Sequence, residues 1–130
     1  MRSRFSSEER GAAAIEFALV LPILLILILG IFEFGRVFSI QVSLSNAARE
    51  GARVMAIQDD QTAARSAAIA AAPGVTPAIG SGQIDISPAS CAGVENGTVQ
   101  VKISYSVDMM TGLFGASLPL EGRGVMVCGG

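Results

Sequence analysis

Residues 11–32 read GAAAIEFALVLPILLILILGIF, and from Phe17 to Phe32 the run holds no charged side chain. With Ala12 to Ile15 before it, the stretch supplies about 20 residues, which at about 1.5 Å each cross roughly 30 Å of hydrocarbon. No other segment of this 130-residue chain could wrap so apolar a rod. A membrane helix is therefore expected in place of a buried core helix. A cleaved secretory signal would need a small-x-small site after the apolar core. Glu33-Phe34-Gly35-Arg36-Val37-Phe38 offers none, and Ala12-Ala13-Ala14 lies on the wrong side of that core. The anchor is expected to stay attached.

Orientation follows from the flanks. Arg2, Arg4 and Arg10 precede the span, with Glu8 and Glu9 among them, whereas Arg36 stands by itself until Arg49 and Arg53. Counting Lys and Arg puts the N-terminus in the cytoplasm. The remaining chain would then lie on the far side of the membrane.

Composition removes several function classes. Net charge is −2 and no basic patch gathers, which speaks against nucleic acid as a partner. Histidine is absent, and with it the commonest general base, the commonest zinc ligand and every Ser/His or Cys/His dyad. Tryptophan is absent too, so no stacking platform for sugars or bases is indicated. Asp59, Asp60, Asp85, Glu95, Asp108 and Glu121 form no metal-ligand spacing. No catalytic residue, cofactor, metal site or small-molecule substrate is expected.

Glu16 stands inside the apolar stretch. A carboxylate at membrane depth costs a few kcal/mol or more and usually has a partner. Either it marks the bilayer edge, with the span starting at Phe17, or it is held by another charge. The order Arg10-Gly11-Ala12-Ala13-Ala14-Ile15-Glu16-Phe17 resembles the processing site of type IV pilin-like proteins. Farther on, Gly35-Arg36-Val37-Phe38 and Asn46-Ala47-Ala48-Arg49-Glu50-Gly51-Ala52-Arg53 resemble the stretch after the membrane helix in TadE-like proteins. These are minor pilins, or pseudopilins, of the bacterial tight-adherence (Flp pilus) system.

The resemblance spans about Arg10 to Arg53 and implies a specific chemistry. A membrane-embedded prepilin peptidase would cut between Gly11 and Ala12 on the cytoplasmic face. The new ammonium on Ala12 would lie one helical turn from Glu16. In the family that glutamate, followed here by Phe17, is thought to pair with the N-terminal amine of a neighbouring subunit. Each charge is costly alone in lipid, and the pair relieves both. The implied partners are the prepilin peptidase, other pilin or pseudopilin subunits, the pilus assembly platform and the membrane. Adherence or secretion is the implied process. The rival reading is an unprocessed, helix-anchored periplasmic scaffold or binding protein; a membrane-attached enzyme is a third.

Beyond the bilayer the helix is expected to continue. Val37, Ile40, Leu44, Ala47, Gly51 and Val54 recur at steps of 3 and 4, a narrow helical seam. Ala47 with Gly51, and Ala48 with Ala52, would admit a close neighbour, either the chain's own domain or another subunit. Pro22, Gly30 and Gly35 are places where the helix could kink. Glu33 with Arg36, and Glu50 with Arg53, have the i,i+3 spacing of exposed ion pairs.

After Asp59-Asp60, Gln61 to Ala72 reads as a short helix ended by Pro73-Gly74. Gln83 to Ile86 alternates as a short strand, Thr98 to Val107 alternates clearly, and Val125-Met126-Val127 suits a closing strand. Cys91 and Cys128 are the only cysteines. In a small domain outside the cytoplasm they suggest one disulfide, the alternative being two free thiols. The expected architecture is α+β: a leader over 1–11, a transmembrane helix over 12–32, a helical extension over 33–58, and an extracytoplasmic domain over 59–130 with a short helix and a small antiparallel sheet.

Overall fold

The computed structural model describes residues 5–94, 96–112, 115 and 117–129. Arg2, Arg4, Glu95 and the last residue, Gly130, lie outside the described residues. The chain divides into two compact units, Met1–Gly35 and Arg36–Gly130. Helix α1, Phe5–Gln58, contributes to both and is assigned helical through Pro22, Gly30 and Gly35.

In the first unit the helix is long and apolar enough to cross a membrane. Leu19 and Ile31 are 69% and 72% exposed, which in water would be a severe hydration cost. Residues 12–32, read as the membrane span, are helical throughout.

In the second unit, α1 from Arg36 to Gln58 carries the core. Ile40, Leu44, Ala47, Ala48, Gly51, Ala52, Val54 and Met55 are all buried, so the seam at steps of 3 and 4 faces the chain's own domain. Against it packs α2, Gln61–Ala70, by its buried Ala64 and Ala68. A Cβ on Gly51 would lie 3.2 Å from the Ala68 Cβ and 3.3 Å from the Ala64 carbonyl oxygen. That closeness explains the small residues of the seam.

The sheet is antiparallel in the order β1 (Ile84–Ser87), β2 (Thr98–Asp108), β3 (Ser117–Val127). A single 3-10 turn, Ser81–Gln83, leads into β1. Strand β2 is central. Val99, Val101, Ile103, Tyr105 and Val107 are buried on one face, and Lys102, Ser104 and Ser106 lie on the other, as the alternation requires. Each fully buried aliphatic side chain contributes about 1.5–3 kcal/mol. Ile84 pairs with Ile103 across β1, and Gly124 pairs with Val101 across β3.

The closing strand differs from the three residues expected at Val125-Met126-Val127. It begins at Ser117 and pairs with β2 along its whole length. Pro119, Gly122 and Gly124 disguise it, since all three normally weaken strands. Their positions account for them. A side chain on Gly122 would collide with the Leu44 carbonyl, and one on Gly124 with the Ala48 carbonyl. Strand backbone lies directly on helix backbone there. Pro119 stands on an edge strand, where its missing N–H leaves no ladder bond unmade.

Candidate functional site

Gly11, Ala12, Glu16 and Phe17 all fall within α1, on exposed positions of the first unit. Ala12 and Glu16 are four residues apart, so the helix sets them on one face, one turn from each other. Nothing lies within 4 Å of where a Gly11 Cβ would sit, and Phe17 is 62% exposed. All four residues are therefore accessible on α1, and of them Ala12 and Glu16 share a face.

Of the arginines that follow, Arg53 is bidentate to Glu50, with Nε to Oε2 at 3.0 Å and Nη2 to Oε1 at 2.6 Å. This is the expected i,i+3 pair. The hydrogen bond from Arg53, aided by its charge, holds the Glu50 carboxyl below its ordinary value. Arg36 donates from Nη1 to the Asp108 carbonyl at 2.9 Å, fastening the helix to the end of β2. Gln41 likewise donates to the Glu121 carbonyl of β3 at 2.8 Å. Arg49 is exposed.

Cys91 and Cys128 form a disulfide with a Cα–Cα distance of 5.6 Å across 37 residues. It joins the loop before β2 to the end of β3, as the sequence suggested. The surrounding hydrogen bonds were not legible from spacing. Asp59 takes φ of 50° immediately after α1, and its N–H donates to the Met55 carbonyl. Its Oδ2 accepts from Ser90 Oγ at 2.7 Å and its Oδ1 from the Cys91 N–H at 2.5 Å. The Ser90 bond, then the Cys91 amide, hold the Asp59 carboxyl below its ordinary range. Asp60 instead caps α2, accepting from the Thr62 and Ala63 N–H groups at 2.8 and 3.1 Å. On the other side of the bridge, the Cys128 N–H donates to the Gly97 carbonyl and the Gly129 N–H to the Ala56 carbonyl.

Tyr105 donates its hydroxyl to the Pro77 carbonyl at 2.7 Å, and burial raises its pKa. Beside it an open depression of about 460 Å³ is lined by Pro77, Gln83, Ser104, Ser106 and Glu121 among others. Its acid, Glu121, is already engaged by Arg123 and Lys102. Among the described residues no group of three His, Cys, Asp or Glu could hold a metal.

No curated protein and no solved structure matches the chain significantly. The model of the family described as TadE-like protein matches residues 11–53. That span opens at Gly11, passes through the apolar helix, and ends at Arg53. It covers about a third of the 130 residues and coincides with the resemblance read from the motifs. The match connects the chain with the tight-adherence pilus machinery, a structural pilin family, and with attachment to a membrane. Over residues 11–53 the chain is similar to the family described as TadE-like protein.

Proposed function

We propose that the chain is a pseudopilin, cut by a prepilin peptidase between Gly11 and Ala12 and assembled with other pilin subunits into a Flp-type pilus or its platform. The carrying observation is the placement of Gly11 within α1, just before its exposed apolar stretch, in which Glu16 follows Ala12 by one turn. The N-terminus is cytoplasmic and the disulfide-bearing domain periplasmic. The arginine count of the two flanks supports this orientation, as does a cystine, which persists in an oxidising compartment. Cutting after Gly11 leaves the anchor intact and creates a cation beside Glu16, which a neighbouring subunit's carboxylate can neutralise.

Intact-mass spectrometry of membrane-purified protein tests this. Co-expression with a cognate prepilin peptidase is expected to remove residues 1–11, and Gly11→Leu to block the cut while the protein still inserts. A full-length chain in the presence of active peptidase would instead identify an unprocessed anchored scaffold.

A further inference from the structure

The Asp59 carboxylate sits where α1 ends, and its two oxygens are spent on the loop that carries Cys91. On the other side, the Cys128 N–H donates to the Gly97 carbonyl, and the N–H of the next residue, Gly129, donates to the Ala56 carbonyl. Ala56 and Asp59 both belong to the last turn of α1 and its exit. The Cys91 amide and the Gly129 amide beside Cys128 are therefore fixed to the same end of the same helix by contacts that do not involve sulfur. We propose that Asp59 is a positioning residue for the disulfide, docking the Cys91 loop on the end of α1 so that the reduced domain already brings the two thiols together.

Four features of the local chemistry support this assignment. A carboxylate accepting from a hydroxyl and an amide makes charge-assisted bonds, stronger than neutral ones. Asp also tolerates the left-handed conformation that the chain needs to leave α1, so one residue both turns the chain and holds the loop. Ser90 Oγ, bound to Asp59, accepts from the Ala92 N–H at 3.0 Å, which gives the loop its shape around Cys91. Gln61 Nε2 donates to the Ala89 carbonyl at 2.8 Å and fixes the same loop from α2.

Oxidation then proceeds by ordinary exchange. With oxidised glutathione as the oxidant, the thiolate of one cysteine attacks the glutathione disulfide. A mixed disulfide forms and one glutathione thiolate leaves. The second cysteine thiolate attacks the protein sulfur, closing Cys91 to Cys128 and releasing the second glutathione. The two protein thiol protons end on the two glutathione thiolates, and two electrons pass from protein to oxidant.

The test uses the full chain in detergent micelles, reduced and then equilibrated in glutathione buffers of fixed composition. Acid quenching and alkylation give the oxidised fraction and hence the effective concentration of one thiol at the other. Asp59→Ala is expected to lower that concentration by about tenfold or more, Ser90→Ala by less, and Asp59→Asn by an intermediate factor. Asp60→Ala is the control: it removes the α2 cap without touching the loop, and should leave the effective concentration within about twofold of wild type. Circular dichroism of the reduced variants reports whether each has kept its helices. An unchanged value in folded Asp59→Ala overturns the proposal. Equal losses in Asp59→Ala and Asp60→Ala also overturn it, because the effect would then be general destabilisation.

Discussion

Glu16 and Asp59 are both carboxylates, the first legible in the sequence by its place in an apolar stretch and the second not, and they sit in opposite surroundings. Glu16 is exposed on a helix long and apolar enough to cross a membrane. If its partner is the Ala12 ammonium of a neighbour, Glu16→Leu strands a cation in hydrocarbon, at a cost of about 3–5 kcal/mol. That is at least two orders of magnitude in assembly. The expected outcome is normal insertion and cleavage of Glu16→Leu with loss from pili, scored by immunoblot of sheared filaments; Glu16→Asp should be intermediate. Wild-type piliation with Glu16→Leu would reduce Glu16 to a marker of the bilayer edge. The role of Asp59 was not legible in the sequence. Its partners are a serine hydroxyl and a backbone amide more than 30 positions away, and no sequence period reports such a contact.

At the level of elements, legibility followed periodicity. The seam from Val37 to Val54 and the alternation from Thr98 to Val107 were readable because burial selects apolar residues at regular intervals. Strand β3 was read only at its last three residues because its inward residues at 122 and 124 have no side chain to show a period. Their absence is what lets the strand lie on α1. Gly124→Val should thus force backbone apart from backbone and cost about 3 kcal/mol or more. Gly74→Ala, with open space around it and an ordinary φ, should be close to neutral. Leu44→Ala, at a fully buried position on the opposing helix, should cost about 2–5 kcal/mol. Thermal melts of the three variants compare these directly, and a stable Gly124→Val would contradict the close approach.

For the molecule as a whole, the domain is small, with alanine and glycine at its helix contacts, Val and Ile on its sheet face, and one covalent link to close it. Cys128→Ser should cost about 2–5 kcal/mol and raise protease sensitivity, with the membrane helix unaffected. Thiol labelling of native membranes without reductant should find neither cysteine. Acid should also weaken the domain. Asp59 is held low first by Ser90, and Glu121 first by Arg123, so the folded state binds protons less readily than the unfolded chain at both sites. Their contribution is full above the ordinary values of 3.8 and 4.5 and is lost as pH falls through the lower folded values. The melting temperature should decline below that range, and less steeply in Asp59→Asn.

Tyr105 carries a practical consequence. It is the only tyrosine in a chain without tryptophan, and it is buried on β2 with its hydroxyl on the Pro77 carbonyl. Near-ultraviolet emission excited at the phenol band therefore originates in the sheet domain alone, while the anchor stays dark. The protein carries its own label, and unfolding of that domain can be followed optically in intact proteoliposomes without attaching a dye.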